Sequence, residues 1–177
     1  MNIVIIGYRC TGKTTAGKIL AEELDWDFVD TDHLITLRER SDIEGIISAK
    51  GWEYFRLLEK MVIHELSEKN RIVIATGGGV VMDEANIDNL KKNGFLIWLR
   101  ADADKIRSRM ENDLKTSNMR PSLTGMNTLD EIKEVLEIRN SYYKKAMDIE
   151  VDTGGMSAIE VANCIREEYL ARYSAPN

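Results

Sequence analysis

Cysteine is scarce in this chain: Cys10 and Cys164 are the only two among 177 residues. One falls in a glycine-containing loop and the other in an apparent helix. They form neither a disulfide framework nor a metal-ligand pattern, and they fit a reducing cytosol. No apolar run approaches the roughly 20 residues that a membrane helix needs. Positive charge is not in excess either. Lys and Arg number 24 against 30 Asp and Glu, a formal net charge of -6. That balance argues against a general nucleic-acid or acidic-membrane binder, yet it leaves room for a local basic site for an anionic small molecule. Internal repeats and low-complexity segments are absent. The first residues read as a core strand running straight into a functional loop, which does not suit a removable signal. His33 and His64, the only two histidines, read as structural or surface residues. What remains, 44% hydrophobic and 31% charged, is ordinary for a soluble globular protein. The length suits one domain with a substantial core.

Against that background one stretch stands out, Gly7-Tyr8-Arg9-Cys10-Thr11-Gly12-Lys13-Thr14. It matches the phosphate-binding loop pattern G-x-x-x-x-G-K-[ST]. Ile3 to Ile6 before it form an apolar, β-branched run that reads as a buried strand. Ala16, Ile19, Leu20 and Leu24 after it recur at helical spacing. Strand, glycine loop and helix is the order the chemistry needs. Glycines let backbone N–H groups turn toward an anion, and the helix N-terminus adds partial positive charge. Lys13 would reach the phosphates, and the Thr14 hydroxyl would ligate Mg²⁺. The Cys10 thiol is either activated by Lys13 and the helix end, or simply a small residue whose backbone serves the loop.

Strands and helices then alternate. Trp26, Phe28 and Val29 suggest a second strand that ends at Asp30-Thr31-Asp32, followed by a helix over 33–40. Ser41 and Glu44 have capping-box spacing for a helix over about 42–50, which Gly51 punctuates. A longer helix over 52–69 places Phe55, Leu58, Met61, Val62 and Leu66 at helical spacing, as core fillers. Strands follow at 71–75 and 95–99, with helices at about 83–92 and 103–114. The polar stretch 115–127 has the length and irregularity of a lid. A helix over about 128–147, a short strand at 149–152 and a helix over about 157–172 complete the chain. Such alternation means an α/β domain with a largely parallel sheet covered on both faces. Ligands bind such sheets at the carboxyl ends of the strands. Gly7, Asp30, Asp32 and the Gly77-Gly78-Gly79 triplet all follow strands, so they should converge on one crevice.

The pattern around the phosphate loop narrows the chemistry. No N-K-x-D guanine motif is present, nor a D-x-x-G switch after a strand, which counts against a GTPase. Asp30 and Asp32, two apart in extended backbone, would point the same way. One could bind Mg²⁺ through water and the other accept a proton from an acceptor hydroxyl. The alternative is a pair of solvated turn or cap aspartates. The glycine triplet fits close approach of backbone to an anionic ligand, or else a tight strand-to-helix turn. Arg56, Arg120 and Arg139 are noticeable, but composition alone does not choose among the Lys and Arg residues.

Taken together, GYRCTGKTT at the start, DTD at 30–32, FR at 55–56, TGGG at 76–79, RP at 120–121, and Arg139 with Tyr143 after it resemble the shikimate kinase family. The resemblance runs from Asn2 to about Asp152. It implies a P-loop NTPase, three-layer α/β/α, with a five-stranded parallel sheet of order 2-3-1-4-5. One kinase domain would span 1–177, with an acceptor-binding helical region at about 31–68 and a lid at about 114–127. The implied reaction is phosphorylation of the shikimate 3-hydroxyl by ATP, on the route to chorismate and aromatic amino acids. Carried over by match, Gly7, Tyr8, Arg9, Cys10, Thr11, Gly12, Lys13, Thr14 and Thr15 hold the ATP phosphates, joined by Arg120 from the lid. Thr14 and Asp30 hold Mg²⁺. Asp32 binds the acceptor hydroxyls and serves as base, with Lys13 and Arg120 the other catalytic residues. Arg56, Arg139 and the Gly77, Gly78 and Gly79 backbone grip the shikimate carboxylate. The turn Asp152-Thr153-Gly154 resembles the loop beside the adenine. A cytoplasmic monomer is expected, with no nucleic-acid or membrane partner. Two positions depart from the family pattern: Cys10, where glycine is common, and Ser122, where an apolar residue is usual. A gluconate kinase of similar fold and an idle ATP-binding module are the competing readings.

Overall fold

The computed structural model describes residues 1–112 and 128–173. The expected lid, with Arg120 and Ser122, lies outside the described residues. All five residues of β1 (Asn2–Ile6) are buried. A strand covered on both faces needs this continuous apolar run rather than alternation. β2 (Asp27–Asp30), β3 (Ile72–Ala75), β4 (Gly94–Arg100) and β5 (Ile149–Asp152) join it in one sheet of order β2-β3-β1-β4-β5. Every neighbouring pair is parallel, with Ile5 opposite both Ala75 of β3 and Ile97 of β4. The expected order is therefore the observed one.

The helices are α1 (Lys13–Leu24), α2 (Thr31–Glu39), α3 (Ile43–Ser67), α4 (Glu84–Asn93), α5 (Ala103–Asn112), α6 (Thr128–Ala146) and α7 (Ala158–Tyr173). Alternate strand residues face opposite sides, and each side has its own core. Val4, Ile6, Ile74, Leu96 and Trp98 pack against Val62 and Leu66 of α3, Leu90 of α4 and Tyr143 of α6. Ile3, Ile5, Val73, Phe95 and Ile97 pack against Leu20 of α1 and Ala162 and Ile165 of α7. Among the described residues no helix is long and apolar enough to cross a membrane.

Two local details differ from expectation, the cap of α3 and the exposure of Met61. The helix after Arg40 is capped by Asp42, whose carboxylate accepts from the Gly45 N–H at 2.7 Å. An ionised acceptor makes the stronger bond to that orphan donor, so Asp42 takes the place expected for Ser41. Gly51 punctuates α3 as expected: it takes the non-helical φ 83 and ψ 168, so α3 is two helices meeting at a kink. Met61 is exposed rather than a core filler. It lies on the solvent side of α3, while Phe55, Val62 and Leu66 carry the buried face.

Replacement of Asp42 by Ala is expected to lower the unfolding free energy by about 1 kcal/mol. Ser41→Ala should cost clearly less. Urea denaturation of the two variants checks the capping assignment, and equal losses would contradict it.

Candidate active site

The carboxyl ends of β1, β2 and β3 open onto one crevice. β1 leads into the phosphate loop, in which Gly7 takes φ 141 and Gly12 φ 97. A Cβ on Gly7 would collide with the Leu99 carbonyl oxygen of β4, so the loop leaves the sheet tight against its neighbour. Cys10 also adopts a left-handed conformation, φ 60. Glycine takes this geometry without steric cost, whereas a side chain is strained there. The departure from the family pattern thus preserves the loop conformation. The Lys13 ammonium donates to the Tyr8 carbonyl at 2.6 Å, and the Thr11 hydroxyl donates to the same oxygen at 2.8 Å. Lys13 is thereby held across the loop that it is expected to serve.

Asp30 ends β2 and caps α2, accepting the His33 N–H at 3.2 Å on one carboxylate oxygen. Its other oxygen accepts the Thr14 hydroxyl at 2.7 Å. The residues expected to share a metal are therefore in contact. The paired oxygens suit Mg²⁺, which takes one or two hard protein oxygens and completes its shell with phosphates and water. Asp32 reaches the crevice by a different route from the one expected. It does not share a strand face with Asp30, because the cap starts α2 at Thr31. Asp32 lies in the first helical turn, buried and facing Gly77. His33 and His64 are both exposed.

The glycine triplet is explained by what crowds it. A Cβ on Gly77 would lie 2.5 Å from Asp32 Oδ1 and 3.1 Å from Glu59 Oε1. One on Gly79 would lie 2.5 Å from the Arg56 guanidinium. The Gly77 N–H donates to the Thr31 hydroxyl at 3.0 Å. The Gly78 carbonyl accepts from Arg139 at 3.0 Å and from the Tyr143 hydroxyl at 2.5 Å. Asp32, Arg56, Arg139 and the triplet thus line one cleft, together with Tyr8 and Arg9 of the phosphate loop.

Glu59, which sequence reading did not single out, holds Arg56. The two pair at 2.8 Å one helical turn apart, and Glu59 is only 1% exposed. Among the described residues its second oxygen, Oε1, has no hydrogen-bond partner. Burial pushes the Glu59 carboxyl above its ordinary value, and Arg56 opposes the shift. Spacing at i, i+3 was the available signal, although it does not reveal burial.

A second cleft lies on the other side of the phosphate loop. It is lined by Thr15 of α1, Arg109 of α5, Thr153, Met156 and Val161. Arg109 was likewise missed. It donates to the Cys10 carbonyl at 3.2 Å, the Thr153 hydroxyl at 3.0 Å and the Thr153 carbonyl at 2.6 Å. A planar cation beside apolar side chains, at the end of a phosphate loop, suits a nucleotide base.

A parallel sheet of this order, a phosphate loop at its central strand and an acceptor cleft beside it define a P-loop kinase, a phosphotransferase with an alcohol acceptor. The family model described as shikimate kinase matches residues 9–170. A shikimate kinase of Thermodesulfovibrio yellowstonii is 43% identical over 168 residues, covering 95% of this chain and 94% of that protein. A shikimate kinase of Acinetobacter baumannii, solved in complex with shikimate, superposes with a TM-score of 0.91 at 29% identity, covering 98% of this chain and 95% of the other. A gluconokinase of Sinorhizobium meliloti superposes at a TM-score of 0.56 and 15% identity, over 97% of this chain and 91% of that one, a likeness of fold alone. The chain belongs to the shikimate kinase family.

Because the folded state holds the Glu59 proton above the ordinary value of 4.5, it binds more protons than the unfolded chain in that range. Stability should therefore fall as pH rises through it. Glu59→Gln removes that dependence. The stability difference between variant and wild type should shift in favour of the variant as pH rises above about 4.5. Urea titrations across pH read the trend, and a flat difference would contradict it.

Proposed function

We propose that the chain transfers the γ-phosphate of ATP to the 3-hydroxyl of shikimate, giving shikimate 3-phosphate and ADP. The observation that carries this reading is one cleft that sets Asp32 between two arginines and the phosphate loop. Shikimate offers a carboxylate at one end and hydroxyls at the other. The planar forks of Arg56 and Arg139 suit the carboxylate. Arg139 spends one donor on Gly78 and has others to offer, since a guanidinium carries five. Asp32 then takes the reacting hydroxyl and accepts its proton.

The backbone of Gly7 to Thr15, the start of α1 and Lys13 cradle the phosphates. Thr14 and Asp30 would hold Mg²⁺, which when bound neutralises charge on the phosphate oxygens. The motif resemblance in the sequence supports a role for Arg120 at the phosphates. The acceptor region is assigned to about 31–68 and the lid to about 114–127. The base of ATP is assigned to the cleft at Arg109 and Thr153. Transfer of this kind depends mostly on positioning and on positive charge around the phosphates. The reading takes the protein as a single kinase domain, working as a cytoplasmic monomer without nucleic-acid or membrane partners.

ADP release from MgATP should depend on shikimate and not on gluconate in a coupled assay. EDTA should abolish turnover and added Mg²⁺ restore it. Release with gluconate alone would overturn the acceptor assignment. In the same assay Asp32→Asn should lower kcat by about 10²- to 10⁴-fold with little change in ATP affinity. Wild-type kcat in that variant would remove Asp32 from the chemistry. Arg56→Ala should act mainly on the acceptor KM, and an unchanged KM would contradict its place at the carboxylate.

A further inference from the structure

Arg9 belongs to the phosphate loop by sequence, yet its side chain runs to α6. Its Nη2 donates to Glu131 at 2.7 Å, and the two side chains are 11% and 3% exposed. A pair this deeply buried differs from a surface ion pair, because its two charges have been taken out of water and breaking it is correspondingly costly. Glu131 lies in the first turn of α6, where the helix dipole also favours a carboxylate. Further along the same helix stand Arg139 and Tyr143, both bonded to the Gly78 carbonyl. Gly78 closes the circuit by packing on the phosphate loop. A Cβ there would lie 3.4 Å from the Gly7 carbonyl oxygen and 3.5 Å from the Arg9 nitrogen. The Tyr143 ring also stacks on Trp98 of β4, with centroids 5.6 Å apart and planes 20° apart.

We propose that Arg9 is a positioning residue for the acceptor: through Glu131 it fixes α6, and with it Arg139, relative to the phosphate loop. The inference rests on the assignment of Arg139 to the acceptor carboxylate. Arg9 belongs to the phosphate loop and also lines the acceptor cleft, and its side chain ties that loop to the helix that carries Arg139. The distance between the two substrates is thus referred to one residue. The Gly78 contacts hold the middle of α6, and the Arg9 pair holds its start. Removing the pair unties the start of α6 from the phosphate loop, so the helix can rotate and re-aim the Arg139 guanidinium at Gly78 without touching the phosphates.

The test is a kinetic cycle on the full chain with Arg9→Met, Glu131→Gln and the double variant, read as separate KM values for shikimate and ATP. Each single change should raise the shikimate KM by about tenfold, within the usual range of coupling between sites. The ATP KM should stay near wild type. The double variant should be no worse than the poorer single, because both remove the same contact. A raised KM in Arg9→Met with a normal one in Glu131→Gln would overturn the proposal and make Arg9 a direct acceptor ligand. A loss confined to the ATP KM would overturn it in favour of a role at the phosphates. Should the single variants fail to fold, the double variant carries neither buried charge, and a wild-type shikimate KM in it overturns the proposal. Arg139→Ala is the control for the underlying assignment. If Arg139→Ala leaves the shikimate KM unchanged, that assignment fails by itself. The near-ultraviolet circular dichroism of the Trp98–Tyr143 stack then decides the helix-positioning claim. A changed signal in Glu131→Gln supports it and an unchanged one overturns it.

Discussion

Asp32 and Arg56 can close on the end of β3 only because Gly77 and Gly79 have no side chains. A methyl group on Gly77 would push into the Asp32 carboxylate, and one on Gly79 into the Arg56 guanidinium. The cleft is therefore a place where charged side chains press on bare backbone from several directions. That arrangement forgoes side-chain packing and places conformationally free residues at the end of a buried strand. The return is a short separation between groups that must act on the same ligand.

Each arginine in that cleft has an acceptor of its own, a glutamate carboxylate for two and a backbone carbonyl for the third. Arg56 has Glu59, Arg139 has the Gly78 carbonyl, and Arg9 has Glu131. None of these partners is the ligand. They hold the guanidinium groups in place before anything binds, which reduces the ordering cost at the moment of binding. The buried Glu59 illustrates the compromise. It orients Arg56, but among the described residues its second oxygen has no hydrogen-bond partner, and burial disfavours its own charge.

Much of this was legible in the sequence, and the limits of legibility follow a physical line. The phosphate loop could be read because its chemistry is local: strand, glycines, lysine and helix lie within a few consecutive residues. The alternating elements could be read because periodicity is local too. The strand order, and the choice of Arg56 and Arg139 from among many cations, came from resemblance rather than from pattern. Asp30 and Asp32 were placed near the crevice correctly but by a strand argument that fails, because Asp30 caps a helix and ends the alternation there. Ser41 was preferred over Asp42 as a cap because box spacing does not weigh a charged acceptor against a neutral one. Glu131 and Arg109 escaped notice because their partners lie far away in the chain. Arg9 and Glu131 are 122 positions apart, and nothing in either neighbourhood announces the other.

The central place of β1 has a consequence for the order in which the protein can be built. β1 is synthesised before both of its partners, β3 and β4, with Asn2 opposite Gly94 and Ile3 opposite Val73. The Asn2 side chain also bonds to Lys69 and Ile72. Until roughly the first half of the chain has been made, β1 has no edge to pair with, and its apolar residues stay uncovered. Contacts of such long sequence separation form late and slow the folding of parallel sheets. The strand that launches the phosphate loop is thus made before both of its neighbours and can pair only after they follow. The nucleotide site cannot exist before the middle of the protein does.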